Sequence, residues 1–596
     1  MTHYQAPQRD MQFVMNELLG MPAHYASLPG CEDLNAELIA AIRAEGAKFT
    51  SQVLAPLNQT GDQQGCKFND GVVTTPDGFK ESYEQYCEGG WPGLTVESEF
   101  GGQGLPISMG AMMNEMLMSA NISWSFLSLG TSGAIDTLKS WGTAEQKTTY
   151  LPKMVEGRWS GTMCLTEPHC GTDLGMLRTK AEAHADGSYR LSGTKIFITG
   201  GEQDMSQNIV HIVLARLPDA PAGVKGISLF IVPKFMPGAL DQRNAVTCGS
   251  IEHKMGLKAS PTCVMNFDGA TGYLLGAPNK GLNCMFTFMN SARLAIGIQG
   301  VTHAQVGFQK SLAYSKERLQ MRASSGPKNP DGPADPIIVH PDVRRLLLSQ
   351  KAIAEGGRML NYYIAKLLDV IEYGDDAAQK TQANGQLGLL TPIAKAFLSE
   401  VGFEAANMGL QCFGGHGYVQ EWGMEQNVRD ARIACIYEGT TGIQALDLIG
   451  RKILADGAQN LQLFSQQIEQ FCASNEQSGE VGSMLQELLK HNKEWGLLVA
   501  DIARAAQENP EEVGAASVDF LMYSGYLVLA YFWAQAALVA QQTLDSGTTE
   551  QDFYKAKIKT AQFYFKRLLP RSRGYVATML SGAESLMDLD AEHFSF

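Results

Sequence analysis

One acid sits where acids are uncommon. In CIYEGTTGIQ, Glu438 lies between Tyr437 and Gly439, in an apolar turn that leads straight into a helix. Most glutamates cap a helix or meet a cation on a charged face, and that is the plain alternative here. A carboxylate among apolar neighbours has its charged form penalised, so burial beside Tyr437 should raise the Glu438 pKa and strengthen it as a base. The helix that follows, TTGIQALDLIGRK, opens with Thr440 at a cap position, and its free N–H groups and dipole favour an anion. Glu438 is the candidate general base.

Two earlier stretches offer neutral donors and a flat ring. LTEPHCGTDLG (165–175) breaks a strand into a Pro/Gly turn that exposes backbone N–H groups between Thr166 and Thr172. Such a turn can hold a phosphate or the edge of a flavin, or it can be an ordinary loop. In GTKIFITGG (193–201), Phe197 and Thr199 are two apart on a strand, so their side chains share a face. An aromatic plate beside a hydroxyl suits the cover of a flavin ring, although most such pairs are core and rim. His416, in GGHGY, is read as packing its turn rather than as a catalyst. Cys164, His169 and Cys170 lie close in sequence but match no zinc spacing, and no metal is expected.

These groups must be positioned by a succession of textures. Residues 1–159 read as helical, with MQFVMNELL and DLNAELIAAIRAEGAKFTSQVLAPL placing apolar residues at three- and four-residue steps. The breaker-rich GGWPGLTVESEFGGQGLP interrupts them. Residues 160–280 hold β-rich runs such as KIFIT, IVHIVLARL and GISLFIVPKF, separated by turns such as Asp186-Gly187. Helical periodicity returns over 281–458, broken by an exposed loop at SSGPKNPDGPADP. After the loosely composed GAQNLQLFSQQ and ASNEQSGEVG, residues 459–596 read as a separate unit. The order predicts an α+β multidomain protein: an N-terminal helical domain, a central β domain, a helical bundle and an extra C-terminal helical domain. No strand feeds a GxGxxG turn, which argues against a Rossmann dehydrogenase.

Composition narrows the partners. The 596 residues carry a net charge of −15, so the surface should repel nucleic acid and anionic lipid. Eleven cysteines occur singly, with no CxxC pair, which suits a reducing compartment. MTHYQAPQRDMQF has neither a basic nor an apolar export region, and a cytoplasmic location is expected. Phe520 to Ala540 carries no charge over a near-spanning length; it is read as the central helix of a bundle rather than as a membrane span. The basic run from Lys555 to Arg573 is read as a solvated helix face, the sharper alternative being a patch for CoA phosphate, a partner flavoprotein or lipid.

Set side by side, the chemical stretches resemble the acyl-CoA dehydrogenase family. LTEPHCGTDLG is similar to its first signature, QCFGGHGYVQEWGMEQNVRD to its second, and YEGTTGIQ to the segment bearing its catalytic carboxylate. WGTAEQKTTYLPKMVEG, KMGLKASPTCVMNFDG and YSKERLQMR also fall in the family's order. Cys170, Gln426, Met321 and Gly442 depart from the usual pattern. With the long C-terminal region, they point to the large-subunit branch that includes 3-methylmercaptopropionyl-CoA dehydrogenase-like enzymes.

The resemblance implies FAD as cofactor. Leu165, Thr166, Gly171, Thr172, Phe197 and Thr199 would line the flavin. Arg318 and Gln320, with Gln411, Gly414 and Gly415, would hold the pyrophosphate and adenosine end of a neighbouring subunit's FAD, and Thr440 would contact FAD where the new helix begins. Asn290, Arg293, Tyr437 and Gly439 would sit by the substrate. Glu438 would take the α-proton of an acyl-CoA thioester while the β-hydrogen passes as hydride to flavin N5, giving a trans-2-enoyl-CoA. Electrons would go to an electron-transfer flavoprotein, and the assembly would be a homodimer or tetramer. A minority of the family carries its base near the Asn290–Arg293 helix, but MNSARL contains no acid. An acyl-CoA oxidase using O₂ and a non-catalytic acyl-CoA-binding or scaffold relative are the alternatives.

Overall fold

The computed structural model describes residues 4–475 and 481–596; residues 476–480, inside ASNEQSGEVG, lie outside the described residues. Contacts divide the chain into two units, one of residues 46–295 and one of residues 1–45 with 296–596. The first 45 residues, the bundle from residue 296 onward and the C-terminal helices therefore share a unit.

In the unit of 46–295, the helices that run directly into the sheet are α1 (Ile107–Ala120), α2 (Ile122–Trp141) and α3 (Ala144–Val155). Asn121 turns extended and accepts from Trp124 N–H, which caps α2, while Thr143 and Gln146 form a reciprocal capping box at α3. The reading of 1–159 as helical needs one correction. Lys67–Asn69 and Val72–Thr74 pair as a hairpin around Asp70-Gly71, at φ 47° and 80°. Strands of three residues are too short for periodicity to show, and only the Asp-Gly turn signals them.

The sheet consists of β1 (Trp159–Cys164), β2 (Lys180–Ala183), β3 (Tyr189–Thr199), β4 (Asn208–Arg216), β5 (Ile227–Pro233), β6 (Val246–Ile251) and β7 (Thr262–Leu275). Their order is β6-β7-β3-β2-β4-β1, and β5 pairs with both β7 and β4. Five strands thus close into a ring, which leaves few free edges. The unbroken apolar runs of β4 and β5 are explained by burial on both faces. Val210, Ile212 and Leu214 join the core shared with α2 and α3, whereas Val213 and Ala215 face the other core.

The other unit is helical. It takes the end of α4 (Gly281–Glu317), then α5 (Pro341–Tyr373), α6 (Ala377–Phe413), α7 (Met424–Ala431) and α8 (Thr441–Leu446). Next come α9 (Gln459–Ser474), α10 (Gly482–Glu508), α11 (Glu511–Asp545) and α12 (Gln551–Phe563). Helix α11 contains the uncharged Phe520–Ala540 stretch, and 72% of its most apolar 18-residue window is buried by protein. Polar groups along it are met internally. Trp495 Nε1 donates to Ser524 Oγ, and the Tyr564 hydroxyl donates to Tyr526 C=O, both at 2.8 Å.

A buried ionic cluster joins three distant parts of this unit. Asp10 meets Arg358 of α5 and Lys557 of α12, and Lys557 also reaches Glu355 at 2.7 Å. Burial would push the Asp10 carboxyl up, but Lys557 and Arg358 outweigh it and hold that carboxyl well below the usual range. The basic run is thus only partly a solvated face: Lys557 is buried, and Arg571 donates to both Glu404 oxygens at 2.8 and 2.9 Å.

Candidate active site

In the unit of 46–295, the turn after β1 is braced from below. Ile196 N–H donates to Thr166 C=O at 2.9 Å, and Glu167 and Cys170 exchange backbone hydrogen bonds of 2.9 and 3.1 Å. Lys195 of β3 is fully buried and donates to Leu165 C=O and Glu167 Oε1, both at 2.9 Å. Glu167 also accepts from Thr179 Oγ1 at 2.6 Å, Thr179 N–H at 3.0 Å and Arg178 N–H at 2.8 Å. Burial would raise Glu167, but Lys195 and these donors outweigh it and hold its carboxyl below the ordinary value. Burial pulls Lys195 down, and Glu167 works against that.

Gly171 lies against Thr166, whose Cγ2 would stand 3.4 Å from a Cβ added there; Gly171 and Thr172 are exposed. Glu167, His169 and Cys170 bring ligand-type atoms within 4.8 Å of one another. Glu167 is already occupied as described, and His169 Nε2 lies 3.0 Å from Met176 C=O.

Phe197 owes its position to a bulge. Lys195 pairs with Met265 and Ile198 with Cys263, so two residues of β3 oppose one of β7. Phe197 takes φ 61°, and the residue is 58% exposed. Regular alternation, as the sequence suggests it, would put Lys195 and Ile198 on opposite faces. The bulge resets the phase, so both are buried while Phe197 is exposed and Thr199 half-buried. A bulky residue in the left-handed region costs on the order of 1–3 kcal/mol and persists only where its surroundings enforce it. Farther along the chain, Asn290 is exposed and Arg293 half-buried on α4, and Ser291 between them donates to Asp136 Oδ2 at 2.8 Å.

The Glu438 turn lies in the helical unit. Glu438 and Gly439 are consecutive left-handed residues, at φ 55° and 89°. Glycine is needed at 439, because a Cβ there would come within 2.5 Å of Gln444 Nε2. The turn is held through its carbonyls. Gln444 Nε2 donates to Glu438 C=O at 3.0 Å. Lys395, fully buried on α6, donates to Ala434 C=O at 2.9 Å and Gly439 C=O at 2.6 Å. Tyr437 donates its hydroxyl to Gln299 Oε1, and Thr441 donates to Glu400 Oε1 at 2.5 Å. Thr440 caps α8 by accepting from Ile443 N–H at 3.3 Å. Burial, and after it the charge of Glu438, pushes the Tyr437 phenol well above its usual range.

In the same unit, α6 ends at Phe413 and the chain turns at Gly414, φ 59°. Added Cβ atoms at Gly414 and Gly415 would meet nothing within 4 Å. Phe413 stacks on Tyr314 with centroids 4.2 Å apart, which sets the end of α4 against the turn after Gln411. Arg318 and Gln320, just beyond that end, are exposed. His416 stacks on Trp422 at 4.6 Å, and its Nδ1 lies 3.0 Å from the Tyr314 hydroxyl, so it packs the turn.

Sequence reasoning missed the residues that brace both turns: Glu167 and Lys195 in one, Lys395, Gln444 and Gln299 in the other. A signal existed for the lysines. TKIFIT and IAKAFL each place a lysine inside an apolar run, where burial requires partners.

Four family models match the chain in succession. They are the acyl-CoA dehydrogenase N-terminal domain over 37–158, the middle domain over 162–270, the C-terminal domain over 279–454, and the acetyl-CoA dehydrogenase C-terminal-like domain over 464–590. 3-Methylmercaptopropionyl-CoA dehydrogenase of Ruegeria pomeroyi is 41% identical over 588 residues, 98% of this chain and 99% of its own. The broad-specificity linear acyl-CoA dehydrogenase FadE5 of Mycobacterium tuberculosis is 34% identical, with both chains covered completely (100%). Among solved structures, ACDH-11 of Caenorhabditis elegans in complex with C11-CoA matches with a TM-score of 0.77 at 19% identity, over 94% of this chain and 91% of that one. At that identity the likeness concerns the fold.

Proposed function

The chain belongs to the acyl-CoA dehydrogenase family of FAD-dependent oxidoreductases, and from that premise we propose that it converts an acyl-CoA thioester to the trans-2-enoyl-CoA with Glu438 as base. The observation that carries this reading is the Glu438 turn, a glutamate at φ 55° gripped through neighbouring carbonyls by a buried lysine. A glutamate accepts that conformation at a cost, and such costs concentrate where geometry serves chemistry.

The α-proton of a thioester is weakly acidic, so a base succeeds only where charge on the thioester oxygen is stabilised as it forms. Glu438 takes that proton, and its own backbone N–H donates to the oxygen. Tyr437 remains a neutral phenol whose proton is committed to Gln299. Tyr437 and Gly439 flank Glu438 at the substrate.

FAD, when bound, supplies a hydride acceptor at N5. The residues present suit it. Phe197 offers an exposed flat face, Thr166, Thr172 and Thr199 offer hydroxyls, and Leu165 and Gly171 belong to the same braced turn. Gly414 and Gly415 leave the room that a phosphate chain needs, Arg318 supplies a cation, and Gln320 and Gln411 supply neutral donors. Thr440 offers a capped helix end. In a homodimer the Arg318–Gln320 and Gln411–Gly415 group serves the FAD of the neighbouring subunit.

The Ruegeria relative makes 3-methylmercaptopropionyl-CoA the first substrate to offer, with straight-chain acyl-CoAs of increasing length next. Electrons pass to an electron-transfer flavoprotein. Anaerobic mixing of the yellow protein with such a panel should bleach the flavin, and the flavoprotein should restore the colour. Hydrogen peroxide in stoichiometric yield under air would replace this reading with an oxidase. A colourless protein that takes up no FAD would remove it.

A further inference from the structure

We infer that Gln299, His303 and Asn427 form a buried hydrogen-bond chain that positions Tyr437 and, through it, the Glu438 turn; the inference rests on Glu438 being the base. All its members lie in the helical unit. The Tyr437 hydroxyl donates to Gln299 Oε1. Gln299 Nε2 lies 3.4 Å from His303 Nε2, one turn later on α4. His303 Nδ1 lies 2.9 Å from Asn427 Oδ1 on α7, and Asn427 Nδ2 returns to His303 C=O at 3.0 Å. Gln299, His303 and Asn427 are buried.

The direction of every bond follows from the chemistry of the groups. Asn427 spends its amide N–H on the His303 carbonyl, so its oxygen is the acceptor and His303 Nδ1 carries the proton. Burial pushes His303 down to about 4, with the Asn427 bond working the other way, so the imidazole is neutral near pH 7 and Nε2 accepts. The Gln299 N–H therefore faces His303, which turns the Gln299 oxygen towards the only proton Tyr437 has. One tautomer and two amide orientations are mutually determined, and the far end is tied to backbone. Titratable groups that bear on Tyr437 include Glu438, Cys435 and Asp430. Burial and Asn427 account for the shift at His303.

This arrangement answers a need. Gln444 and Lys395 hold carbonyls of the turn; Tyr437, which precedes the strained Glu438, gives its backbone N–H to Ile433 C=O at 3.2 Å, and its side chain is oriented through Gln299. A polar chain in which each group is satisfied specifies one conformation, where an apolar contact would allow several.

The test uses the FAD-loaded, full-length protein and the best acyl-CoA from the panel. Gln299→Leu should lower kcat about tenfold, the worth of one buried hydrogen bond, with KM changed less than about twofold and FAD retained. Tyr437→Phe should lose a similar factor, and the double variant should lose no more than either alone. Gln299→Glu separates positioning from packing. Its carboxylate reproduces the pattern only with one extra proton, on itself or on His303, so kcat should approach wild type at low pH and fall to the Gln299→Leu level as pH rises. Wild-type kcat in Gln299→Leu, independent multiplicative losses in the double variant, or a Gln299→Glu profile that merely parallels Gln299→Leu would each overturn the chain. Full turnover in Glu438→Gln would instead overturn the base assignment on which it rests.

Discussion

Two turns of this chain each rest on a fully buried lysine, and they use it in opposite ways. In the β domain, Lys195 meets Leu165 C=O and the carboxylate of Glu167, whose remaining capacity goes to Thr179 and Arg178. That acid is consumed by structure. In the bundle, Lys395 meets the carbonyls of Ala434 and Gly439, so the turn is secured through its backbone on either side of Glu438. Both stretches show an acid in a Gly- and Thr-bearing turn. What separates the structural acid from the proposed base is which atoms hold the turn in place.

The contrast can be broken by exchanging what each lysine supplies. Lys195→Met removes the buried ammonium from Glu167, and removing one partner of a buried pair costs about 3–5 kcal/mol. Denaturant unfolding should show the largest stability loss here, and a loss below about 1 kcal/mol would mean that Glu167 is not held as described. Lys395→Met removes two backbone-carbonyl hydrogen bonds made by a charged donor, worth about 1.5–3 kcal/mol each. It should lower kcat by about 10- to 100-fold while unfolding at higher denaturant than Lys195→Met. Equal stability losses in the two variants would erase the distinction.

A smaller effect sharpens it from a third buried acid. Asp10 is held well below its unfolded value by Lys557 and Arg358, against the pull of burial. The stabilisation it contributes is present in full above about pH 4 and is lost as pH falls further. Asp10→Asn should therefore melt below wild type at pH 7, by about 1–3 kcal/mol, and the gap should narrow below about pH 4 as wild type also takes up the proton. A gap constant across that range would show that Asp10 contributes no charge to the cluster.

Much of the architecture was legible because long patterns are redundant. The period of the helices, the two-sided apolar runs of β4 and β5 and the polarity of the loops each repeat over many residues, and α11 could be read as a core helix from length and composition. The cap at Thr440 was legible for a local reason, since a hydroxyl before a helix accepts from its own backbone. The hairpin at 67–74 was not, being shorter than any period.

The candidate site was readable at its tips and not at its supports. Glu438 stands out by its neighbours, but nothing adjacent to it announces Lys395, 43 positions earlier, or Gln299, 139 positions earlier. Phe197 was readable as an aromatic on a strand, whereas the bulge that exposes it depends on its register with β7. Lys557 shows the same limit in reverse: in a basic run it looks solvated, and only the fold brings Asp10 and Glu355 to it.

The most direct measurement of the central claim is stopped-flow, anaerobic bleaching of the flavin in Glu438→Gln against wild type, with the same acyl-CoA. The account predicts a yellow variant that binds FAD and acyl-CoA normally and bleaches about 10²- to 10⁴-fold more slowly, the usual loss for a positioned base. A variant that bleaches as fast as wild type would contradict it.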